Sequence, residues 1–308
     1  MKIRIKSTHD YAAEMTFNQF DAISRYMTYF DLVTELKAGN LNYNQRDADV
    51  RFDNCCKILH NAWSTENNLI NSLKLVENES CGFMLQWIFP MAYYSVFTLA
   101  SLFYYLNNYL DDFRVSHSKV QKKFSELVKT GKYPQSISYY ADGGKNKIEV
   151  CNLEYHPMRE SIKYNANERE DVERQIGQFL KTTRTIRLDE YHQQNSINFR
   201  TKSGLVKKRL NKEDWQNISY KIGATSLINL LYRKRIKGNY REIDTFLIDT
   251  IKTKEIIESL LKIVNHLNTI HEYHIMKLVG KDRFLKVIDG FDKNRDSNFV
   301  FKRIKDYM

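Results

Sequence analysis

Apolar residues along this chain recur mostly at helical spacing. Phe20, Ile23, Met27, Phe30 and Leu32 form a stripe between charged positions over residues 17–36, the period of a helix with one buried face, and Ala38-Gly39-Asn40 ends it. A longer helix is predicted from about Arg46 to Val76. It turns Val50, Cys56, Leu59, Trp63, Leu69, Leu73 and Val76 inward and Arg46, Asp47, Asp49, Lys57 and Glu66 outward, and Ser80-Cys81-Gly82 breaks it. Met1 to Asp10 alternates charge with Ile3 and Ile5, which predicts one short strand and lacks the apolar run of a secretory signal.

Residues 80–110 carry no charge at all, and Trp87 to Leu106 is apolar enough to raise the question of a membrane span. Tyr93, Tyr94, Tyr104, Tyr105 and Tyr109, with Ser95, Thr98 and Ser101, are spread along it rather than gathered at two interfaces. Amphipathic helices on both sides also need an apolar surface to cover. The segment is therefore read as a buried central helix rather than a transmembrane one.

A basic helix follows over His117 to Thr130, closed by Gly131 and Pro134, and the polar stretch Pro134 to Asn167 has little helical period. Helicity resumes at Glu168 through Phe179, Leu180, Ile186 and Leu188 to about Gln193, and Gln194 to Gly204 reads as a connector. Beyond it, Asn211 is placed as the N-cap of a helix through Trp215, Ile218, Ile222, Leu227, Leu230 and Leu231, and another helix spans about Lys254 to Leu278. The expected organisation is all-α. It has an N-terminal strand and helix over residues 1–44, a helical domain over 45–195 and a separate basic helical domain over 196–308.

Composition agrees with that class: three prolines and eleven glycines in 308 residues favour long helices over turn-rich β architecture, and 42% apolar residues can fill a core of this size. Cys55, Cys56, Cys81 and Cys151 have neither zinc-site spacing nor that of a disulfide framework, which fits a reducing, cytoplasmic compartment. The net charge of +11 favours a polyanionic partner.

The run Pro90-Met91-Ala92-Tyr93-Tyr94-Ser95-Val96-Phe97-Thr98-Leu99-Ala100 resembles the second-helix signature of bacterial HEPN domains. The helix opening at His117 and leading to Leu127-Val128-Lys129-Thr130-Gly131-Lys132 is similar to that family's third-helix region, and Arg187-Leu188-Asp189-Glu190-Tyr191-His192 falls where its Arg-x4-6-His motif lies. The resemblance covers about Arg46 to Gln193. It implies a HEPN-like antiparallel helical bundle with a C-terminal helical extension, acting as a metal-independent endoribonuclease without a cofactor. The setting it implies is that of a toxin or an antiviral, abortive-infection effector, restrained by an antitoxin, a regulatory protein or a phage trigger.

Arg187 and His192 are the implied catalytic pair. A guanidinium offers a planar fork to phosphate oxygens at any cellular pH. An imidazole can take a proton from a 2′-hydroxyl or give one to a leaving 5′-oxygen, leaving a 2′,3′-cyclic phosphate. Five helical steps of about 100° place the two residues roughly 140° apart, and the family answers this by pairing two protomers, so a homodimer is expected. Arg184, one turn earlier, is a further candidate phosphate contact.

The family usually carries a polar residue after the arginine, where this chain has Leu188. That favours the alternative, a non-catalytic HEPN-like protein that binds RNA, a nucleotide or a partner protein. For substrate binding the candidate surface is Arg200 to Lys237, with eleven Lys or Arg against two acidic residues, including Lys207, Lys208, Arg209, Arg233 and Arg235 and interspersed with Trp215, Tyr220 and Tyr232. His266, His271 and His274 cluster on the last long helix but lack HExxH spacing, and no metal is expected there.

Overall fold

The computed structural model describes residues 8–77, 85–156, 168–201, 203–207, 209–240, 253–294 and 298–307. Among these, twelve α-helices and one two-stranded hairpin are present. The helices are α1 (Thr8–Met27), α2 (Leu32–Lys37), α3 (Gln45–Phe52), α4 (Cys56–Glu77), α5 (Leu85–Leu106) and α6 (His117–Lys129). After the hairpin strands β1 (Tyr140–Asp142) and β2 (Glu149–Cys151) come α7 (Arg169–Gln194), α8 (Lys212–Ile222), α9 (Leu227–Tyr240), α10 (Thr253–Val279), α11 (Lys281–Phe291) and α12 (Phe299–Ile304).

The uncharged helix α5 is the centre of the molecule, covered by α4, α9, α10 and α6. Its polar atoms all but define their own neighbours. Tyr104 and Tyr133 share a hydroxyl hydrogen bond of 2.7 Å, Ser101 Oγ donates to Phe113 O at 2.7 Å, and Tyr93 Oη meets His117 Nδ1 at 2.9 Å. These three buried hydroxyls have partners, where an unpaired one would cost on the order of 1–3 kcal/mol. Protein therefore supplies α5 with its apolar cover, and no helix among the described residues is long and apolar enough to cross a membrane.

Several boundaries differ from the sequence expectation for local reasons. Thr8 to Asp10 opens α1 instead of ending a strand; residues 1–7 lie outside the described residues, as does the expected break at Ser80-Cys81-Gly82. The stripe over residues 17–36 is interrupted after Met27, because Asp31 accepts from Val33 N–H at 3.1 Å and starts a new helix. A 3-10 turn at Asp53–Cys55 divides the next helix. Val50, expected inward, is 79% exposed, while Glu66, expected outward, is buried against Arg303. The polar stretch after Pro134 contains the hairpin, which had no periodic signal.

The helices beyond the 194–204 connector do not build a core of their own. Leu227, Ile228, Leu230 and Leu231 of α9 and Ile256 to Val279 of α10 join the same apolar cluster as α1, α4 and α5. The connector itself is a 3-10 turn at Ser196–Asn198 and a short antiparallel bridge between Arg200 and Val206. Leu188, Trp215 and Ile218 form a second, small core, with Phe199, Tyr191, Leu210 and Ile222 among the residues packed around it. It joins the end of α7 to α8 as a lobe beside the main body.

Candidate functional site

Asn211 caps α8 as expected, in a capping box with Asp214, but the helix stops at Ile222 instead of running on to Leu231. Gly223 ends it with φ 66° and ψ −174°, a backbone region open essentially to glycine alone. The chain then bends so that Thr225 and Ala141 exchange two N–H to O bonds of 2.8 Å, fixing the loop after α8 to strand β1.

Arg184 and Arg187, one turn apart on α7, hold this loop from beneath. Arg184 is fully buried. It donates to Gly143 O at 3.0 and 3.1 Å, to Ser219 Oγ at 2.6 Å, to Asp142 Oδ1 at 3.3 Å and to Gly223 O. Arg187 donates to Ala224 O at 2.8 Å, Thr225 Oγ1 at 2.7 Å and Ile222 O at 2.8 Å. Burial pulls Arg184 down to about 10, and burial with the neighbouring Arg184 charge pulls Arg187 down to about 9. Both stay cationic at neutral pH, where they satisfy the free carbonyls and negative end of α8. Arg184 is thus a structural residue, not the surface phosphate contact its spacing suggested.

His192 contacts other neighbours. Its ring lies 5.7 Å from Phe199 and 5.6 Å from Trp215, centroid to centroid, and its Nε2 is buried without a hydrogen-bond partner. Leu188, where the sequence pattern led us to expect a polar residue, is wholly buried with Trp215 and Ile218. An apolar side chain is what that position needs here.

The basic stretch divides into internal and external cations. Arg233 donates to Thr183 Oγ1 at 3.1 Å, and the Arg235 guanidinium sits 4.8 Å from the Tyr94 ring and 5.5 Å from that of Tyr232. Lys207 is chelated by Asp214 at 2.7 and 2.8 Å. Lys208 lies outside the described residues, and Arg209 is exposed. Arg200, Lys212 and Lys221 are exposed as well, so the outward charge belongs to the small lobe.

The histidines of α10 face inward. His271 Nε2 bonds Tyr133 Oη at 2.9 Å, His274 Nδ1 bonds Tyr43 Oη at 2.9 Å, and His266 Nε2 bonds Ser136 Oγ at 2.9 Å. Burial lowers His266 to about 4 and His271 and His274 to about 3, keeping all three neutral. Among the described residues no group of three or more His, Cys, Asp and Glu is placed to hold a metal ion.

Between α6, the hairpin and α8 opens a cleft of about 500 Å³. One wall is Lys122, Glu126 and Lys129 of α6, the other is Gln216, Asn217 and Tyr220 of α8, and the floor is Asp142 with Gly223 and Ala224. The same loop that the two arginines grip from α7 therefore closes this cleft from below. Sequence reading placed Tyr220 only as an aromatic within the basic stretch. The helical wheel of α8 carried more: Trp215, Ile218 and Ile222 set the inner face, and Tyr220 falls opposite, 85% exposed.

These features define a helical protein with a polar, half-open cleft beside a basic lobe. No protein-family model matches the chain, and no curated protein or solved structure matches it either.

Proposed function

We propose that the chain is a HEPN-like helical protein that binds single-stranded RNA over the lobe formed by the end of α7, residues 199–210 and α8. The observation that carries this reading is the sorting of charge: Arg200, Arg209, Lys212 and Lys221 stand exposed on that lobe together with the Tyr220 ring. Exposed cations gain by releasing counterions from a phosphate backbone, and an exposed aromatic ring gives an unpaired base a surface to stack on. Two of the three segments that carry the HEPN resemblance pack on each other through Tyr93 and His117, which supports that part of the reading.

A second reading, metal-independent RNA cleavage by Arg187 and His192 in a homodimer, draws support from the unpartnered Nε2 of His192. It requires Arg187 to exchange its three protein acceptors for phosphate oxygens, which is why binding is the reading put first. A toxin or antiviral setting, with RNA as the partner and a regulatory protein or phage trigger as restraint, is compatible with either.

One experiment separates them. Purified wild type and the Arg187→Ala and His192→Ala variants are incubated with labelled RNA in EDTA, and both complex formation and new ends are recorded. The binding reading expects complexes with intact RNA for all three. Cyclic-phosphate ends produced by wild type alone would establish the nuclease, and no complex with any RNA would overturn the RNA reading.

A further inference from the structure

We propose that the cleft between α6, the hairpin and α8 is a mononucleotide-sized pocket: it receives one nucleobase against Tyr220 and one phosphate at Lys122. This rests on the RNA-binding reading for its biological source, but not for its chemistry. The volume of about 500 Å³ lies within the range typical of small-ligand sites.

The walls are chemically unlike each other. On α8, Gln216 and Asn217 are exposed amides whose side chains make no hydrogen bond among the described residues, and Tyr220 lies one turn beyond Gln216 and is 85% exposed. Amides carry both donors and acceptors, which suits the edge of a base, and a bare phenol ring suits its face. Tyr220 is the most exposed tyrosine among the described residues: Tyr29 and Tyr94 are 40% and 37% exposed, and Tyr26, Tyr93, Tyr104, Tyr133 and Tyr139 are buried.

The charges of the cleft select among anionic ligands. Lys129 is neutralised by Asp142 at 2.6 Å, and Glu126 by Lys123 at 2.9 Å. Lys122 is left exposed on the same wall with no ion-pair partner among the described residues. One uncommitted cation matches one phosphate. A triphosphate would bring further negative charge with no second uncommitted lysine on the cleft wall to meet it, so the ligand class is a nucleoside monophosphate, free or as one residue of an RNA strand.

The floor is held before any ligand arrives. Arg184 and Arg187 fix the carbonyls of Ile222, Gly223 and Ala224, and Arg184 also fixes Ser219 and Asp142. A ligand entering between α6 and α8 then meets walls whose spacing is already set, which lowers the ordering cost of binding.

Isothermal titration of the full chain with the four ribonucleoside 5′-monophosphates, and with ATP for comparison, tests the proposal. Tyr220→Ala, Gln216→Ala and Lys122→Glu all change exposed side chains, and circular dichroism verifies that each variant folds. One monophosphate per chain is expected, bound more tightly than ATP, with affinity reduced about tenfold or more in Tyr220→Ala and reduced also in Lys122→Glu. Absence of monophosphate binding to wild type, or equal binding by Tyr220→Ala, would overturn the pocket. Fluorescence anisotropy with labelled oligonucleotides, run in parallel, reads the RNA proposal separately. Monophosphate binding without oligonucleotide binding leaves the pocket standing and removes the RNA reading. Oligonucleotide binding that Tyr220→Ala leaves intact, without monophosphate binding, removes the pocket alone.

Discussion

Arg184 and Arg187 look alike in sequence, yet the structure gives them different weights. Arg184 is sealed from solvent and serves acceptors from the hairpin, α8 and the loop after it, so removing it strands several buried oxygens at once. Arg184→Ala is expected to lose at least about 3 kcal/mol in urea unfolding, and Arg187→Ala about 1–3 kcal/mol; equal, negligible losses would contradict the clamp. The turn spacing that places both guanidiniums on one side of α7 was legible in the sequence. Their partners were not, because backbone carbonyls at 143, 222, 223 and 224 carry no residue identity, and only the fold brings them to α7. Leu188 illustrates the reverse: it read as a departure from a pattern, while its reason is the adjacent packing of Trp215 and Ile218.

Among elements, α7 was readable because Phe179, Leu180, Ile186 and Leu188 recur along it, and α5 because a long uncharged run between amphipathic helices needs to be their shared core. The hairpin was not, because three-residue strands such as Tyr140-Ala141-Asp142 are too short to show alternation, and their third partner is Thr225, far along the chain. Helix α10 also concentrates buried ionisable groups. Glu272 takes hydrogen bonds from Trp63 at 2.8 Å and from Arg303 of α12 at 2.5 and 2.9 Å, while Arg303 also pairs with Glu66. Two carboxylates share one guanidinium, and burial pushes Glu272 up to about 7, with Arg303 opposing and Glu66 adding to the rise.

The pH dependence of stability follows with opposite signs. His266, His271 and His274 are depressed below their ordinary 6.5, so their stabilising neutrality is complete above that value and is lost as pH falls toward about 4. Glu272 is raised above 4.5, so its contribution is greatest at low pH and declines as pH rises through about 7. Urea midpoints are expected to fall on acidification below about 6.5, with Glu272 partly offsetting the histidines between about 7 and about 4.5, and these four groups add no slope between about 7 and about 8. Glu272→Gln should steepen the fall between about 7 and about 4.5; an unchanged slope in that window would refute the assignment.

At the scale of the whole molecule, a net charge of +11 is distributed by function of place. Arg184, Arg187, Arg233, Lys234 and Arg235 are turned toward protein, while the small lobe keeps Arg200, Arg209, Lys212 and Lys221 outside. With about four phosphate contacts, single-stranded RNA affinity is expected to fall roughly fifty-fold between about 50 and about 200 mM monovalent salt. A salt-independent affinity would remove those cations from the interface. The connector at 194–204 reads as a linker in sequence because its residues are small and polar. What sequence could not show is that α9 packs chiefly on α5, and α10 on α5, α1 and α4, so the polypeptide crosses the connector and returns to the same core.

That return sets an order of events during synthesis. Helix α5, with no charge between residues 80 and 110, leaves the ribosome roughly ten to thirty seconds before α10 at ordinary elongation rates. Until α9 and α10 follow, its apolar faces have α4, α6 and the earlier helices against them but lack two of the three helices that cover it most. The nascent chain therefore presents a long uncharged helix in search of cover, a natural client for chaperones. Its core is finished only when Arg303 emerges to neutralise Glu66 and Glu272.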